Sequence, residues 1–234
     1  MTNLPLAVLN LGKLAGKVTP QENIVYYRRG MDELSLNITN ACPNACAFCI
    51  RDFDEGWGVS NLYLSRDPSI SEITSAFDRE REKVREAGIK LKRVKICGYG
   101  EPILRFNDLP AIARHIRESD SELAIQVTTT GWPFFRFVSQ DVTRIAELKS
   151  AGVTDVYLSM SASQRETYRK LVRPGFKEYD PRAFDDSIRF GVAARDAGLA
   201  VTLGFINLPG VEEEDVQRFA GELGMPYKLR EFER

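Results

Sequence analysis

Cys42, Cys46 and Cys49 crowd one short segment, Asn40-Ala41-Cys42-Pro43-Asn44-Ala45-Cys46-Ala47-Phe48-Cys49-Ile50, in a C-x3-C-x2-C spacing. Three thiolates are one short of the four that a [4Fe-4S] cluster usually takes, one per iron. One iron would then keep an open position, which is what catalytic metal sites keep. The same residues also read as part of a structural zinc site, which is closed and four-coordinate. Cys97 or the single histidine, His115, would then complete it.

The elements that must position this segment alternate along the chain. Residues 24–27 and 34–38 read as strands around the turn Arg28-Arg29-Gly30-Met31-Asp32, and Leu34, Leu36 and Ile38 alternate with Ser35, Asn37 and Thr39. The cysteine segment follows directly. A loop rich in Gly, Asp and Ser, carrying Trp57, spans 51–67. Helices are expected over 71–86, 107–119, 141–150, 164–172, 181–197 and 212–223, several stopped by a glycine just beyond. Strands are expected over 92–97, 123–128, 155–161, 200–207 and 227–232. Strand–helix alternation calls for a parallel sheet with right-handed crossovers. About six such strands from Leu34 onward are too few to close an eight-stranded barrel. Residues 1–22 read as an N-terminal extension and 23–234 as one core domain.

Ligands in parallel α/β folds bind at the carboxyl ends of strands, and several polar or glycine-rich stretches fall there. Gly98-Tyr99-Gly100-Glu101-Pro102 reads as a tight turn, or as backbone brought close to a ligand with Glu101 beside an ammonium group. Thr128-Thr129-Thr130-Gly131 is ordinary strand-end chemistry or a polar rim. Ser159 and Ser161 fall on one face if the strand period holds. Gly204 and Ile206 precede Leu208-Pro209-Gly210-Val211-Glu212, and the acids at 212–215 suit a first helical turn. Cys97 reads as a small buried residue and His115 as a helix-surface residue. With one histidine in the chain, Ser-His-Asp chemistry is disfavoured. Asn37, Gln126, Thr128, Lys228 and Arg230 are candidate substrate contacts, and alternation alone leaves their faces open. Lys228 and Arg230 together suit a phosphate or carboxylate.

The cysteine spacing, with Phe48 just before the last cysteine, resembles the signature of the radical S-adenosylmethionine (radical SAM) superfamily. Cys49-Ile50-Arg51, Cys97-Gly98-Tyr99-Gly100-Glu101-Pro102 and Tyr168-Arg169-Lys170-Leu171-Val172-Arg173-Pro174 look most like the small TatD-associated radical SAM proteins. The resemblance implies an α/β fold, an open partial (β/α)6 barrel. It implies a [4Fe-4S] cluster on Cys42, Cys46 and Cys49, whose open iron holds the amino and carboxylate groups of SAM. One electron then splits SAM to methionine and a 5'-deoxyadenosyl radical, which abstracts hydrogen from a polar substrate not identified by sequence. It further implies SAM contacts at Phe48, Gly100, Glu101, Thr129, Ser159, Gly204 and Ile206. The family's Gly-Gly-Glu-Pro and Thr-Asn-Gly stretches are matched only in part, because Tyr99 interrupts the first and Thr130 replaces the asparagine of the second. A flavodoxin- or ferredoxin-type one-electron reductant is the implied partner.

Composition sets the remaining bounds. Of 234 residues, 43% are hydrophobic, enough for a sizeable core, and 32 basic residues nearly balance 33 acidic ones. No global field draws in nucleic acid or an anionic membrane. Crowded cysteines suit a reducing compartment better than a disulfide framework, and no apolar run reaches the ~20 residues of a membrane helix. These features point to a cytoplasmic protein. Two rivals stand beside the hydrogen-abstracting enzyme: an activase that installs a radical on a partner protein, and a noncatalytic zinc-binding module. The N-terminal extension, the Trp57 loop, a second subunit or the substrate would have to cover the open barrel.

Overall fold

The computed structural model describes residues 23–28, 32–52, 62–175 and 179–232. They form one seven-stranded sheet in chain order: β1 (Val25–Arg28), β2 (Glu33–Leu36), β3 (Arg93–Ile96), β4 (Ala124–Thr129), β5 (Asp155–Ser161), β6 (Ala200–Asn207) and β7 (Tyr227–Glu231). β1 pairs antiparallel with β2, and every later pair is parallel. α1 (Ile70–Glu86) joins β2 to β3 and α2 (Leu109–Ser119) joins β3 to β4. α3 (Ala146–Ser150) precedes β5, α4 (Arg165–Val172) and α5 (Ala183–Asp196) precede β6, and α6 (Glu213–Leu223) precedes β7. Six sequential parallel strands with helical crossovers wind as a (β/α) barrel does, and the pairing stops at β1 and β7 without closing. This is the open partial barrel expected from the sequence.

Alternation decides which face is sealed. Leu34, Leu36, Val94, Ile96, Ile125, Val127, Val156, Leu158, Leu203 and Phe205 are all inaccessible to solvent. With Phe77, Ile112, Phe134 and Phe190 from the connecting segments they make one core. The residues between them carry the polar face. Ser35, Lys95, Gln126 and Asp155 lie in one register row across β2 to β5. α1 starts on a capping box, in which the Ser69 hydroxyl and Glu72 carboxylate each accept from the other's backbone amide.

The continuous helix expected over 141–150 is instead a 3-10 turn, Val142–Ile145, running into the short α3. Val142, Ile145 and Leu148 recur every third residue, a spacing that a 3-10 turn accommodates as well as an α-helix does. Asp141 reinforces the turn by accepting from the Thr143 amide at 2.9 Å. The segment after β4 holds a π-turn, Phe134–Val138. Phe134 there packs edge-on against Phe106 and Phe190, with centroids 4.9 and 5.7 Å away.

Candidate active site

Cys42, Cys46 and Cys49 lie on the loop that leaves β2 at its carboxyl end, and all three are half-buried. The loop is held by the end of α4, although more than a hundred residues separate the two in sequence. A helix leaves its last four carbonyls without intrahelical partners. Here Leu171 O accepts from the Ala47 amide at 2.8 Å, and Arg173 O accepts from Ala45 at 3.2 Å. Pro43 O accepts from Gly175 at 2.9 Å, and Asn44 bridges to Pro174. Arg173 ends α4 in the left-handed region, φ 49°, which turns its carbonyl out of the helix line. The helix expected over 164–172 thus ends in the seat of the cysteine loop, a contact no local pattern announces.

The turn after β3 holds the other side. The Glu101 amide donates to Ala41 O at 2.7 Å. Gly100 is required for this approach, because a Cβ there would stand 2.3 Å from Thr39 O and 2.7 Å from Ala41 O. The Glu101 carboxylate is 3% exposed. Its Oε1 accepts from Ile103 N at 3.1 Å and Thr129 Oγ1 at 2.6 Å, and its Oε2 accepts from Thr130 N and Thr130 Oγ1, both at 2.8 Å. Burial raises its pKa, and these four hydrogen bonds oppose that rise. Thr130 Oγ1 in turn accepts from Asn44 Nδ2 at 3.3 Å, and Asn44 Oδ1 accepts from Trp132 Nε1 at 2.9 Å. One buried chain of side chains therefore runs from Glu101 through Thr130 and Asn44 to Trp132, tying the ends of β3 and β4 to the middle of the cysteine motif. Asn44 and Trp132 were not singled out by sequence.

The remaining expected contacts spread along the strand ends. Phe48 is half-buried against the core. Thr129 is buried and also accepts from the Gly131 amide. Ser159 pairs with Gly204, but the register shifts between Ser159 and Ser161, and Ser161 adopts φ 63°. The expectation that both serines follow one strand period therefore fails at a β-bulge: Ser159 stays half-buried and Ser161 is buried. The room left by Gly204 is taken by Tyr157, whose ring atoms would lie 2.3–2.4 Å from a Cβ. Arg230 from β7 lies over that ring at 5.5 Å, and Ile206, its register partner, is 9% exposed. Of the candidate substrate contacts, Asn37 and Gln126 are engaged within the fold. Asn37 donates to Asn23 O and Leu62 O and accepts from the Tyr99 amide, and Gln126 Nε2 donates to Asp155. Thr128 is half-buried, while Lys228 and Arg230 are exposed.

Burial pushes the Cys42 thiol up to about 12, with Arg51 pulling it back. Burial pushes Cys46 well up too, and its neighbours Cys42 and Cys49 add to the rise. Among the described residues, no three His, Cys, Asp or Glu side chains converge as the ligands of one metal ion do. An iron-sulfur cube asks for wider spacing, because each thiolate binds a different iron. Neither fourth ligand considered for zinc joins the trio: Cys97 Sγ meets Tyr26 Oη at 3.7 Å, and His115 Nε2 lies 3.0 Å from the Asp78 carboxylate. The donor set fits a cluster with one iron left open.

Residues 36–223 match the family model of the radical SAM superfamily. The chain belongs to that superfamily. As a radical SAM enzyme it takes the superfamily's cofactors, a [4Fe-4S] cluster and SAM. It is 29% identical over 211 residues to the GTP 3',8-cyclase of Paenarthrobacter nicotinovorans, an alignment covering 89% of this chain and 52% of that protein. The chain spans about half the length of the curated relatives it matches. Its fold is similar to that of Streptococcus suis SuiB bound to S-adenosylmethionine, with TM-score 0.59, 14% identity, and 87% of this chain and 43% of that one covered. It is also similar to the FeFe-hydrogenase maturase HydG from Carboxydothermus hydrogenoformans, with TM-score 0.57, 19% identity, and 86% and 44% coverage. Among the described residues no helix is long and apolar enough to cross a membrane.

Proposed function

We propose that this chain reductively cleaves SAM and directs the resulting radical at a polar, anionic substrate held against the open ends of β5 to β7. The observation that carries this reading is the placement of Cys42, Cys46 and Cys49 on one loop after β2, seated between the end of α4 and the turn after β3. Cys42, Cys46 and Cys49 would hold the cluster. Held there, the cluster would supply the one electron needed for reductive cleavage of SAM to methionine and a 5'-deoxyadenosyl radical.

The chain's own residues do the rest. Gly100 lets the turn after β3 lie against the cysteine loop that would hold the cluster. Glu101 acts through the strand ends it ties together, holding Thr129 and Thr130 in place. Phe48, Ser159, Gly204 and Ile206 form the proposed SAM cradle. Tyr157 fills the space over Gly204 and offers a flat surface there. Lys228 and Arg230, exposed on β7, suit a phosphate or carboxylate of the substrate. The curated relatives are named for GTP, an anionic nucleotide, and such molecules are within the proposed class. The wider assignment of residues 23–234 as the catalytic core, of the TatD-associated subgroup, of a flavodoxin- or ferredoxin-type donor and of the cytoplasm belongs to the same proposal.

The test is anaerobic incubation of the iron-loaded protein with SAM and dithionite, followed by chromatography for 5'-deoxyadenosine. The wild type should form it, and anionic substrates should accelerate the reaction. Cys46→Ala should form none, and cleavage retained in that variant would sink the assignment.

A further inference from the structure

Arg51 stands two residues after Cys49, in the single 3-10 turn Ile50–Asp52. An arginine so close to a surface loop would ordinarily extend its charge into water. This one turns back instead and is 5% exposed. Its Nε donates to Cys49 Sγ at 3.2 Å, and its Nη1 donates to Asn40 O at 3.3 Å. The second anchor is itself fixed. Asn40 Oδ1 accepts from the Leu64 amide at 3.0 Å, and Asn40 Nδ2 donates back to Leu64 O. The guanidinium is thus clamped between the residue that opens the cysteine motif and the sulfur that closes it.

We propose that Arg51 is a positioning residue that fixes the Cys49 thiolate by its Nε–H···Sγ bond and raises the reduction potential of the cluster on Cys42, Cys46 and Cys49. The proposal rests on the reading that these three cysteines hold that cluster. Potentials of such clusters are set by net charge, by hydrogen bonds to sulfur and by exposure to solvent. The thiolate–cluster unit is anionic and becomes more so on accepting an electron. A buried cation bonded to one of its sulfurs therefore favours the reduced form, and the dry surroundings strengthen that preference. Geometry matters as well as charge: the planar fork reaches a sulfur and a carbonyl together, which an ammonium on a flexible stem does poorly.

The experiment compares anaerobically loaded wild type, Arg51→Lys and Arg51→Met by iron content and by EPR of samples poised at fixed potentials, with neither SAM nor substrate present. The reduced-to-oxidised ratio of the cluster in Arg51→Met should fall at least tenfold at a given potential, a shift of 59 mV for a one-electron couple. Arg51→Lys should shift in the same direction by less. A cluster in Arg51→Met at wild-type potential and wild-type iron content would overturn the proposal. Should Arg51→Met load no iron, Arg51→Lys decides: a lowered potential supports the role of the guanidinium bond, and a wild-type potential refutes it. A wild type that holds no cluster contradicts the cluster reading itself, a different outcome from an Arg51 variant that holds one unchanged.

Discussion

The Glu101 carboxylate accepts four hydrogen bonds, about as many as its two oxygens can take. All four donors are internal, so the side chain works as a strut between strand ends. Glu101→Gln replaces an acceptor with a donor that faces Thr129 or Thr130. A buried group left without its partner costs about 1–3 kcal/mol, and urea unfolding should show a loss of that size. Asn44→Ala should cost a similar ~1–3 kcal/mol, because it strands the indole N–H of Trp132, which is 1% exposed. An unchanged urea midpoint in both variants would show the network to be dispensable. Gly100→Ala is a sharper probe of the site: its Cβ meets backbone oxygens on both sides, so the cysteine loop must move. That variant should bind substoichiometric iron while keeping its far-ultraviolet circular dichroism.

The cysteine loop shows at the scale of elements what sequence reading could and could not reach. Its spacing is local, so Cys42, Cys46 and Cys49 stood out at once. Its support is not: the amides of Ala45 and Ala47 find their acceptors on Arg173 and Leu171 at the end of α4. No local pattern announces a bond between two irregular ends, and the same holds for Asn44 and Trp132. Strands and most helices were legible because alternation and glycine stops are short-range signals. The segment 141–150 is helical as expected, and its division into a 3-10 turn and a short α-helix was not legible, since Val142, Ile145 and Leu148 are three apart, a spacing that serves either helix type over so short a run. The bulge at Ser159 to Ser161 was hidden because one left-handed residue resets a strand's period without changing composition. Ala47→Pro deletes the amide that reaches Leu171. It should lower iron retention after gel filtration while the far-ultraviolet circular dichroism of the sheet is kept. Wild-type retention would mean that α4 does not seat the loop.

At the scale of the molecule, the open sheet separates a sealed helix-facing side from a polar side that needs internal partners. Lys95 and Glu33 form an ion pair at 2.9 Å on that polar side, with side chains 17% and 4% exposed. Removing one member of a buried pair leaves the other charge uncompensated, at about 3–5 kcal/mol. Glu33 keeps a further partner, so Lys95→Met should show only part of that loss in urea unfolding, and a loss under about 1 kcal/mol would mark the pair as effectively solvated. The expected cover for the open barrel, the N-terminal extension or the Trp57 loop, lies outside the described residues. The membership of the superfamily rests on sequence and fold, while the chemistry rests on one iron having room for SAM. EPR of the anaerobically loaded, dithionite-reduced protein, recorded with and without SAM, tests that room directly. A reduced [4Fe-4S] signal whose g-values shift when SAM is added is expected. A cluster signal indifferent to SAM, or a protein that binds zinc and assembles no cluster, would contradict it.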